Sequence, residues 1–209
     1  MPYPLRRIAI FSLLCAGLLL PAATSTAESA HGRRHAVRAH IALGSHLKTR
    51  AHVSQQDCAN ADAKPRAANL DEIRDAILCL HNQIRAEHGL PALRENVRLR
   101  RAALGHSQDM VGRRFFDHTT PGGTSFVDRI MRARYVGRHE GWSLGENLAW
   151  GTGSLSTPRG VLKAWMDSPG HRANILRRSY REIGIGVALG IPVDDGDGAT
   201  YTTDFGVRR

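Results

Sequence analysis

The sequence predicts an α+β domain, because helical patterns precede a hairpin of alternating residues. Apolar residues at spacings of three and four indicate an amphipathic helix that begins near Asn69. Apolar and small residues then alternate over residues 183–188, and residues 201–205 alternate again after a Gly/Asp-rich turn at 194–198. Helices that precede an antiparallel sheet pack on its faces, which gives an α+β architecture.

The first 27 residues are expected to be an export signal. Arg6 and Arg7 precede an apolar run at residues 8–20, and Pro21 ends that run ahead of small and polar residues that supply a cleavage site. The run is too short to cross a bilayer, which needs roughly 20 apolar residues in a helix. We therefore predict that residues 1–27 are removed and that the mature protein is secreted, into the medium or a periplasm. A retained signal anchor is the alternative that this segment allows.

The composition is that of a basic, globular protein. Among 209 residues, 29 Lys and Arg face 19 Asp and Glu, which gives a net charge of +10. Removal of the signal takes away Arg6 and Arg7, and the charge falls from +10 to +8. A hydrophobic share of 42% is enough for a packed core and excludes wholesale disorder. The charge favours anionic partners, and it suits envelope polymers and nucleic acids equally well.

Residues 28–68 are predicted to form a basic, histidine-rich, flexible tail. No Asp or Glu occurs between His31 and Gln56, and large apolar side chains are few. Such a segment cannot bury enough surface to offset its ordering entropy. It is either a solvated linker or a device that holds the protein against anionic envelope polymers or collects metal ions. Its histidines are His31, His35, His40, His46 and His52.

Two cysteines remain once the signal, with its Cys15, is removed. In an oxidising compartment we expect Cys58 and Cys79 to form a disulfide, with two free thiols as the alternative. The bond would close a loop of about 20 residues and contribute on the order of 3 kcal/mol in the chain-entropy description. It would tie the irregular segment before Leu70 to the first helix.

The folded domain is predicted over residues 69–209 and begins with two helices. The first ends at Gly89. The second runs from about Glu95 to Arg113 and contains His106, which either lines a cleft or packs against the sheet. The expected core contacts are Leu70, Ile73, Ile77, Leu80 and Ile84 in the first helix and Val97, Leu104 and Met110 in the second.

Three shorter helices are predicted from capping signals. Ser125 with Asp128 resembles a capping box that opens a helix to about Arg134. Thr157 begins a second helix, with proline at its first position. Ser168 ends that helix and is expected to cap the third.

A Gly-rich loop is expected around Gly145. Residues 141–145 match the G-x-S-x-G pattern of serine hydrolases, but that nucleophile needs a strand before it and a helix after it, which this sequence does not indicate. We interpret the match as a coincidence. His81, on the first helix, is interpreted as a surface or hydrogen-bonded histidine rather than a ligand, and the sequence contains no H-E-x-x-H zinc motif.

Three segments agree in order and spacing with one protein family. They are Phe115-Phe116-Asp117-His118, Gly145-Glu146-Asn147 and the stretch from Trp165 to Ile175. With them, the chain resembles the CAP superfamily of cysteine-rich secretory proteins, antigen 5 and pathogenesis-related proteins, and in particular its secreted bacterial branch. The resemblance covers residues 77–207, which include the sequence Thr203-Asp204-Phe205-Gly206.

The resemblance implies an α-β-α sandwich, with a central antiparallel sheet flanked by helices and a cleft. His118, Glu146 and His171 correspond to the family's cleft His, Glu and His. Many eukaryotic members carry a second cleft Glu shortly after the Trp, and Asp167 is the candidate at that place in this chain. We expect a secreted monomer.

The cleft residues suit either a divalent metal or a polar cluster. His171 falls in the first turn of a helix, where the dipole disfavours imidazolium, and a metal needs the neutral imidazole. His118 and His171, with water at an open position, would hold Zn²⁺ or another divalent metal, and Glu146 would support that site or act as a general base. The alternative is a hydrogen-bonded cluster that fastens loops to helices.

Two functions are compatible with these features. The first is a secreted binding module whose cleft holds a divalent metal or a small apolar ligand such as a lipid, while the basic tail contacts an anionic envelope polymer. The second is a metal-dependent hydrolase, such as a nuclease, in which Glu146 activates water. The fold alone does not decide between them.

Overall fold

A five-stranded sheet lies at the centre of the part of the chain that the computed structural model describes, which is residues 8–13, 57–137 and 141–209. Its strands are Ile8–Leu13 (β1), Arg94–Glu95 (β2), Trp142–Gly151 (β3), Glu182–Leu189 (β4) and Ala199–Arg208 (β5). They lie in the order β1-β3-β5-β4-β2. All neighbours run antiparallel except β2 and β4, which are parallel. The hairpin predicted from the alternating residues is the pair β4 and β5.

Helices cover both faces of the sheet. They are Leu70–Glu87 (α1), Val97–Arg113 (α2), Phe126–Arg132 (α3), Pro158–Asp167 (α4) and Pro169–Ile175 (α5). Helix α2 packs along β4 and β5 on one face, whereas α1 and α4 share a core with the other face. The predicted α+β class and α-β-α sandwich are therefore confirmed.

The alternation in β4 has a structural cause on each face. Ile183 and Ile185 are buried in the core that contains α1 and α4. The alternate residues, Gly184 and Gly186, lie against the backbone of α2, where a Cβ on Gly184 would come within 2.1 Å of the Leu99 carbonyl carbon. The helix backbone approaches the sheet this closely only because these positions lack side chains.

The capping signals are confirmed with one exception. Ser125 and Asp128 form both hydrogen bonds of the capping box, and the Thr157 hydroxyl accepts from the Gly160 amide. The Ser168 hydroxyl does not cap α5 and instead lies 2.8 Å from Nδ1 of His171. The Ser168 hydroxyl, which was expected to accept from a backbone amide of α5, thus contacts the His171 side chain instead.

The second helix begins two residues later than predicted, and its first residue is not in the core. Asn96 caps the helix by accepting from two backbone amides, those of Arg98 and Leu99. Val97 is 58% exposed, because it stands at the first helical position, away from the buried face. Met110 is completely buried, as predicted.

The Gly-rich loop predicted around Gly145 is wrong, because this segment is strand β3. Eight consecutive residues of the strand, 144–151, are buried. A strand covered on both faces has no polar alternation, which removes the signal on which a strand prediction depends. Ser143 lies within this strand and not on a strand-to-helix turn, so the G-x-S-x-G match forms no nucleophile elbow.

The folded unit begins earlier than residue 69. Cys58 and Cys79 form the predicted disulfide, with an S–S distance of 2.01 Å, and Cys58 and Ala61 are buried in the core. Residues from Asp57 onward therefore belong to the fold rather than to the tail. Residues 28–56 of the predicted tail, and the signal peptide apart from β1, lie outside the described residues.

Strand β1 belongs to the predicted signal peptide. It pairs with β3 from Ile8 opposite Gly151 to Leu13 opposite Glu146. None of the helices in the described part of the chain is both long enough and apolar enough to cross a membrane.

Candidate functional site

Glu146 is the centre of a buried ionic cluster on β3. The residue is completely buried, and its two carboxylate oxygens have different partners. Oε1 lies 2.7 Å from Nδ1 of His118, and Oε2 accepts a hydrogen bond of 2.6 Å from the Arg129 guanidinium. Because an ionised carboxylate can only accept, Nδ1 of His118 is the donor.

The cluster keeps Glu146 ionised in spite of its burial. Burial by itself would raise the pKa of this carboxyl group, since it penalises the charged form. The hydrogen bond from His118 and the positive charge of Arg129 outweigh that effect and hold the pKa below its usual value. Glu146 is thus a carboxylate with both oxygens in use.

Arg129 joins three parts of the site. It belongs to α3, whose capping box fixes the start of the helix. Besides Glu146, the guanidinium donates to the carbonyl of His118 at 2.9 Å and to that of Thr124 at 3.2 Å. The helix therefore positions both the charge that neutralises Glu146 and the loop that carries His118. Sequence reasoning missed Arg129, because one arginine among many has no distinguishing pattern.

Asp204 is a second buried carboxyl group next to Glu146. The two residues are direct partners in the β3–β5 ladder, so their side chains lie on the same face of the sheet. Neither carboxyl oxygen of Asp204 has a hydrogen-bond partner among the described residues. Burial and the neighbouring Glu146 charge raise its pKa well above the usual value. A lone acid between Thr and Phe in a predicted strand was the available signal for this residue.

His106 packs beside this cluster. It is completely buried, and its Nε2 lies 2.9 Å from the Asp117 carbonyl. Burial lowers its pKa to about 4, and Glu146 and Arg129 act on it with opposite signs. His106 is therefore neutral at physiological pH, and of the two alternatives weighed for it, the structure supports packing against the sheet next to the cleft.

His171 is connected to the opposite side of β3. Consecutive side chains of a strand point to opposite faces of the sheet, so the side chains of Glu146 and Asn147 leave β3 on different faces. The Asn147 amide donates to the His171 carbonyl at 3.1 Å, and the Asn174 amide donates to Asn147 at 2.9 Å. The Nδ1 atom of the His171 ring lies 2.8 Å from the Ser168 hydroxyl oxygen. The structure thus brings His118 and Glu146 into contact and ties the His171 backbone to the Asn147 side chain.

Asp167 does not join the cluster, which corrects the expectation that it lies in the cleft. Its carboxylate is 65% exposed and pairs with Lys163 at 2.6 Å. The two residues are four positions apart on α4, so they share one solvent-facing side of that helix.

The described residues contain no group of three or more His, Cys, Asp or Glu side chains arranged to hold a metal ion. His118 does present one buried atom, Nε2, that has no hydrogen-bond partner in the described part of the chain. Arg129, however, already supplies a cation to Glu146. The donors available to a metal are therefore at most the two histidines, and we derive no chemical step through a metal.

A groove of about 880 Å³ lies away from this cluster, between α1, α2 and β4. None of His118, Glu146 and His171 lines it. Its apolar lining includes Leu70, Val97, Leu104, Val111, Ile185 and Val187. The groove therefore offers an apolar surface that lies apart from the predicted cleft residues.

Comparison with known proteins agrees with the resemblance. The profile of the cysteine-rich secretory protein family, CAP, matches residues 78–201. Two proteins of Bacillus subtilis are similar to about half of the chain. The uncharacterised protein YkwD is 38% identical over 107 residues, and the uncharacterised membrane protein YlbC is 34% identical over 111 residues. These matches cover 51% and 53% of this chain but 39% and 30% of the relatives, so the chain spans well under half of their length.

A solved structure shares the fold. An outer surface protein of Borrelia burgdorferi aligns with a TM-score of 0.53 and 22% sequence identity, over 64% of this chain and 90% of that chain. At this level of identity, the likeness concerns the fold alone.

Proposed function

The chain belongs to the cysteine-rich secretory protein (CAP) family, and on this premise we propose that it is an exported binding module whose ligand site is the cleft formed by His118, Glu146 and His171. The predicted signal peptide supports export to the medium or the periplasm. The outer surface location named for the Borrelia burgdorferi protein of the same fold agrees with this placement. We propose that the module acts as a monomer.

The bonding of Glu146 is the observation that favours binding over catalysis. Both carboxylate oxygens are committed, to His118 and Arg129. A general base needs an oxygen within hydrogen-bond reach of the water that it activates. Glu146 would have to give up one of two charge-assisted bonds to do so, and such bonds are the strong ones. The cluster is instead suited to hold the walls of the cleft in a fixed geometry.

The hydrolase alternative is tested by removing the charge of Glu146. Glu146→Gln keeps the shape of the side chain and abolishes its basicity. A binding module has no turnover of nuclease, esterase or peptidase substrates in either form, whereas a hydrolase loses turnover in the variant. Because Glu146 is buried, the thermal unfolding transition of the variant is recorded first, so that a folding defect is not mistaken for a lost base.

The metal proposal assigns Zn²⁺, or another divalent ion, to His118 and His171. The unpartnered Nε2 of His118 supports it, and the Arg129 charge beside Glu146 opposes it. Calorimetric titration of the mature chain with Zn²⁺ is compared with that of His118→Ala/His171→Ala. The basic tail is the same in both proteins, so a difference near one equivalent belongs to the cleft. Identical titration curves would reject the metal site and leave the binding module without one.

The basic tail is proposed to contact anionic envelope polymers. A chain that starts at residue 28 is compared with one that starts at Asp57, where the folded unit begins. Retention on a dextran sulfate matrix should fall in the shorter chain, since the segment from His31 to Gln56 carries positive charge and no acid. Equal retention of the two chains would mean that the folded domain, and not the tail, carries the affinity for polyanions.

A further inference from the structure

Four arginines surround a small pocket that shares no residue with the cleft. The pocket has a volume of about 380 Å³ and lies where β2 meets β4 and the end of β5. Arg94 is opposite Glu182 in the parallel ladder, and the Arg94 amide donates to the Arg181 carbonyl at 3.0 Å. The lining is Arg94, Arg181, Glu182, Val207, Arg208 and Arg209.

The single carboxylate in this lining is already satisfied. Glu182 accepts hydrogen bonds from the Tyr135 hydroxyl at 2.7 Å and the Asn96 amide at 2.8 Å. Arg208 adds an ion pair at 3.3 Å and stacks over the Tyr135 ring. The charge of Glu182 is therefore matched by that of Arg208, and the remaining guanidiniums of the pocket are not neutralised by it.

Three guanidiniums of the pocket lack a carboxylate partner among the described residues. Arg181 is held in place by bonds to the carbonyls of Arg178 and Tyr180, which are neutral acceptors. Arg94 and Arg209 are exposed, and their side chains form no hydrogen bond within the described part of the chain. Neighbouring like charges repel, and an anion in the pocket would relieve that repulsion.

A buried positive charge behind the pocket adds to its field. Arg85 is completely buried, and within the described residues its guanidinium bonds to backbone carbonyls, those of Pro91, Ile175, Arg177 and Tyr180. The guanidiniums of Arg85 and Arg181 both donate to the Tyr180 carbonyl, so the two positive charges lie close together. The field at the pocket is thus positive beyond the side chains that line it.

We propose that the pocket formed by Arg94, Arg181 and Arg208 with Arg209 binds a phosphate group. Guanidinium groups offer planar pairs of N–H donors that match the oxygens of phosphate. A tetrahedral phosphate presents more acceptor oxygens than a carboxylate, so it can engage several guanidiniums at once. This site lies outside the cleft and does not depend on the proposed cleft function. Its ligand is either free phosphate or the phosphate of an anionic polymer.

The test uses two double variants of the mature chain with the same change in charge. Arg94→Gln/Arg209→Gln removes the two pocket guanidiniums that make no side-chain bond in the described structure. Arg100→Gln/Arg101→Gln, on α2 and outside the pocket, is the matched control. Each protein is titrated calorimetrically with inorganic phosphate and, separately, with long-chain polyphosphate, after its thermal unfolding transition has been recorded.

We expect the pocket variant to lose about tenfold or more in affinity for phosphate groups, while the control stays within about twofold of the parent. A loss seen with inorganic phosphate identifies the free ion as sufficient, and a loss confined to polyphosphate identifies the polymer as the source. Equal losses in the two variants would mean diffuse attraction to a basic surface, and no loss in the pocket variant would mean no site; either result overturns the proposal. Zn²⁺ titration of the same variants keeps the cleft proposal separate.

Discussion

Asp204 lies directly opposite Glu146 in the β3–β5 ladder, and both carboxyl groups are completely buried. Arg129 and His118 bond to Glu146, whereas the oxygens of Asp204 have no hydrogen-bond partner among the described residues. Two neighbouring carboxyl groups in a buried site do not both ionise, because their negative charges repel each other. Glu146 therefore carries the negative charge, and Asp204 retains its proton at neutral pH.

Asp204→Asn is expected to stabilise the protein at neutral pH. The folded state binds a proton at Asp204 at pH values where the unfolded chain, with a pKa of about 3.9, has released it. Because the folded state binds more protons, this residue lowers the free energy of unfolding as the pH rises above about 4. Asparagine does not titrate, so the variant avoids this decrease in the free energy of unfolding. The decrease amounts to about 1.4 kcal/mol for each unit by which folding raises the pKa of Asp204.

Urea denaturation at pH 4 and pH 7 measures this effect. The advantage of Asp204→Asn over the parent should be larger at pH 7. Asp167→Asn, which removes an exposed carboxylate, serves as the matched control. An advantage of the same size at both pH values would contradict a protonated Asp204.

His81 is expected to make the fold sensitive to acid. Its Nδ1 lies 2.8 Å from the Ile77 carbonyl, and its ring packs against Trp165 and Phe205. Burial lowers its pKa to about 4, while an unfolded histidine titrates near 6.5. The folded state binds fewer protons between these values, so the stabilising contribution is present above about pH 6.5 and is lost as the pH falls toward 4.

His81→Phe should remove this dependence. Relative to the variant, the parent should lose up to about 3 kcal/mol of unfolding free energy between pH 7 and pH 4. His88→Phe is the matched control, because His88 is the C-cap of the same helix, its ring makes the same kind of bond to the Ile84 carbonyl, and it is exposed. If the two variants show the same pH profile, burial of His81 is not the cause.

Gly184→Ala is expected to disrupt the contact between α2 and the sheet. The added Cβ would lie 2.1 Å from backbone atoms of Leu99 and Arg100, which cannot move without moving the helix. Overpacking of this kind costs about 1–3 kcal/mol, and a backbone clash places the cost at the upper end or beyond.

Gly105→Ala is the matched control, and it is expected to stabilise the protein rather than destabilise it. Gly105 is on α2, the helix that Gly184 contacts, but no atom apart from its neighbours in the helix backbone lies within 4 Å of its added Cβ. Alanine in a helix interior should then raise stability by about 0.5–1 kcal/mol. Thermal and urea denaturation of both variants measure the contrast, and a Gly184→Ala protein as stable as the parent would show that α2 tolerates the displacement.

Arg85→Met is expected to destabilise the fold by more than about 3 kcal/mol, because four backbone carbonyls, two of them in buried hydrogen bonds, lose the Arg85 guanidinium as a donor. These carbonyls belong to the turn after α1 and to the chain between α5 and β4, so the guanidinium ties two segments together. Arg113→Met, at a half-exposed arginine paired with Asp109, should have little effect on stability, because an exposed ion pair is screened by solvent. Chemical denaturation measures both, and similar losses would indicate that Arg85 acts through its hydrophobic stem alone.

The sequence was sufficient to predict elements whose signals are local. The spacing of Ile73, Ile77 and Leu80 predicted α1, and the capping box at Ser125 predicted α3, because both depend on residues within a few positions of one another. Strand β3 was missed for the converse reason. Its burial on both faces comes from distant elements, and no local alternation records it.

The candidate site divides in the same way. His118, Glu146 and His171 were found through motifs in three segments, and the disulfide between Cys58 and Cys79 through the cysteine count. Arg129 and Asp204 were not found. Their roles come from the register of two strands and from the placement of a helix, and neither of these can be predicted from the neighbouring residues in the sequence.

By itself, the sequence determined the α+β class, the helix caps at Ser125 and Thr157, the hairpin and the pairing candidates His118 and Glu146. Only the tertiary structure decided what those residues do to one another. It bonded both oxygens of Glu146 to His118 and Arg129, set Asp204 beside them, and tied the His171 backbone to the Asn147 side chain. The physical reason is that propensity and periodicity act over a few residues, whereas hydrogen bonds and charges between packed elements depend on distances that only the folded chain creates.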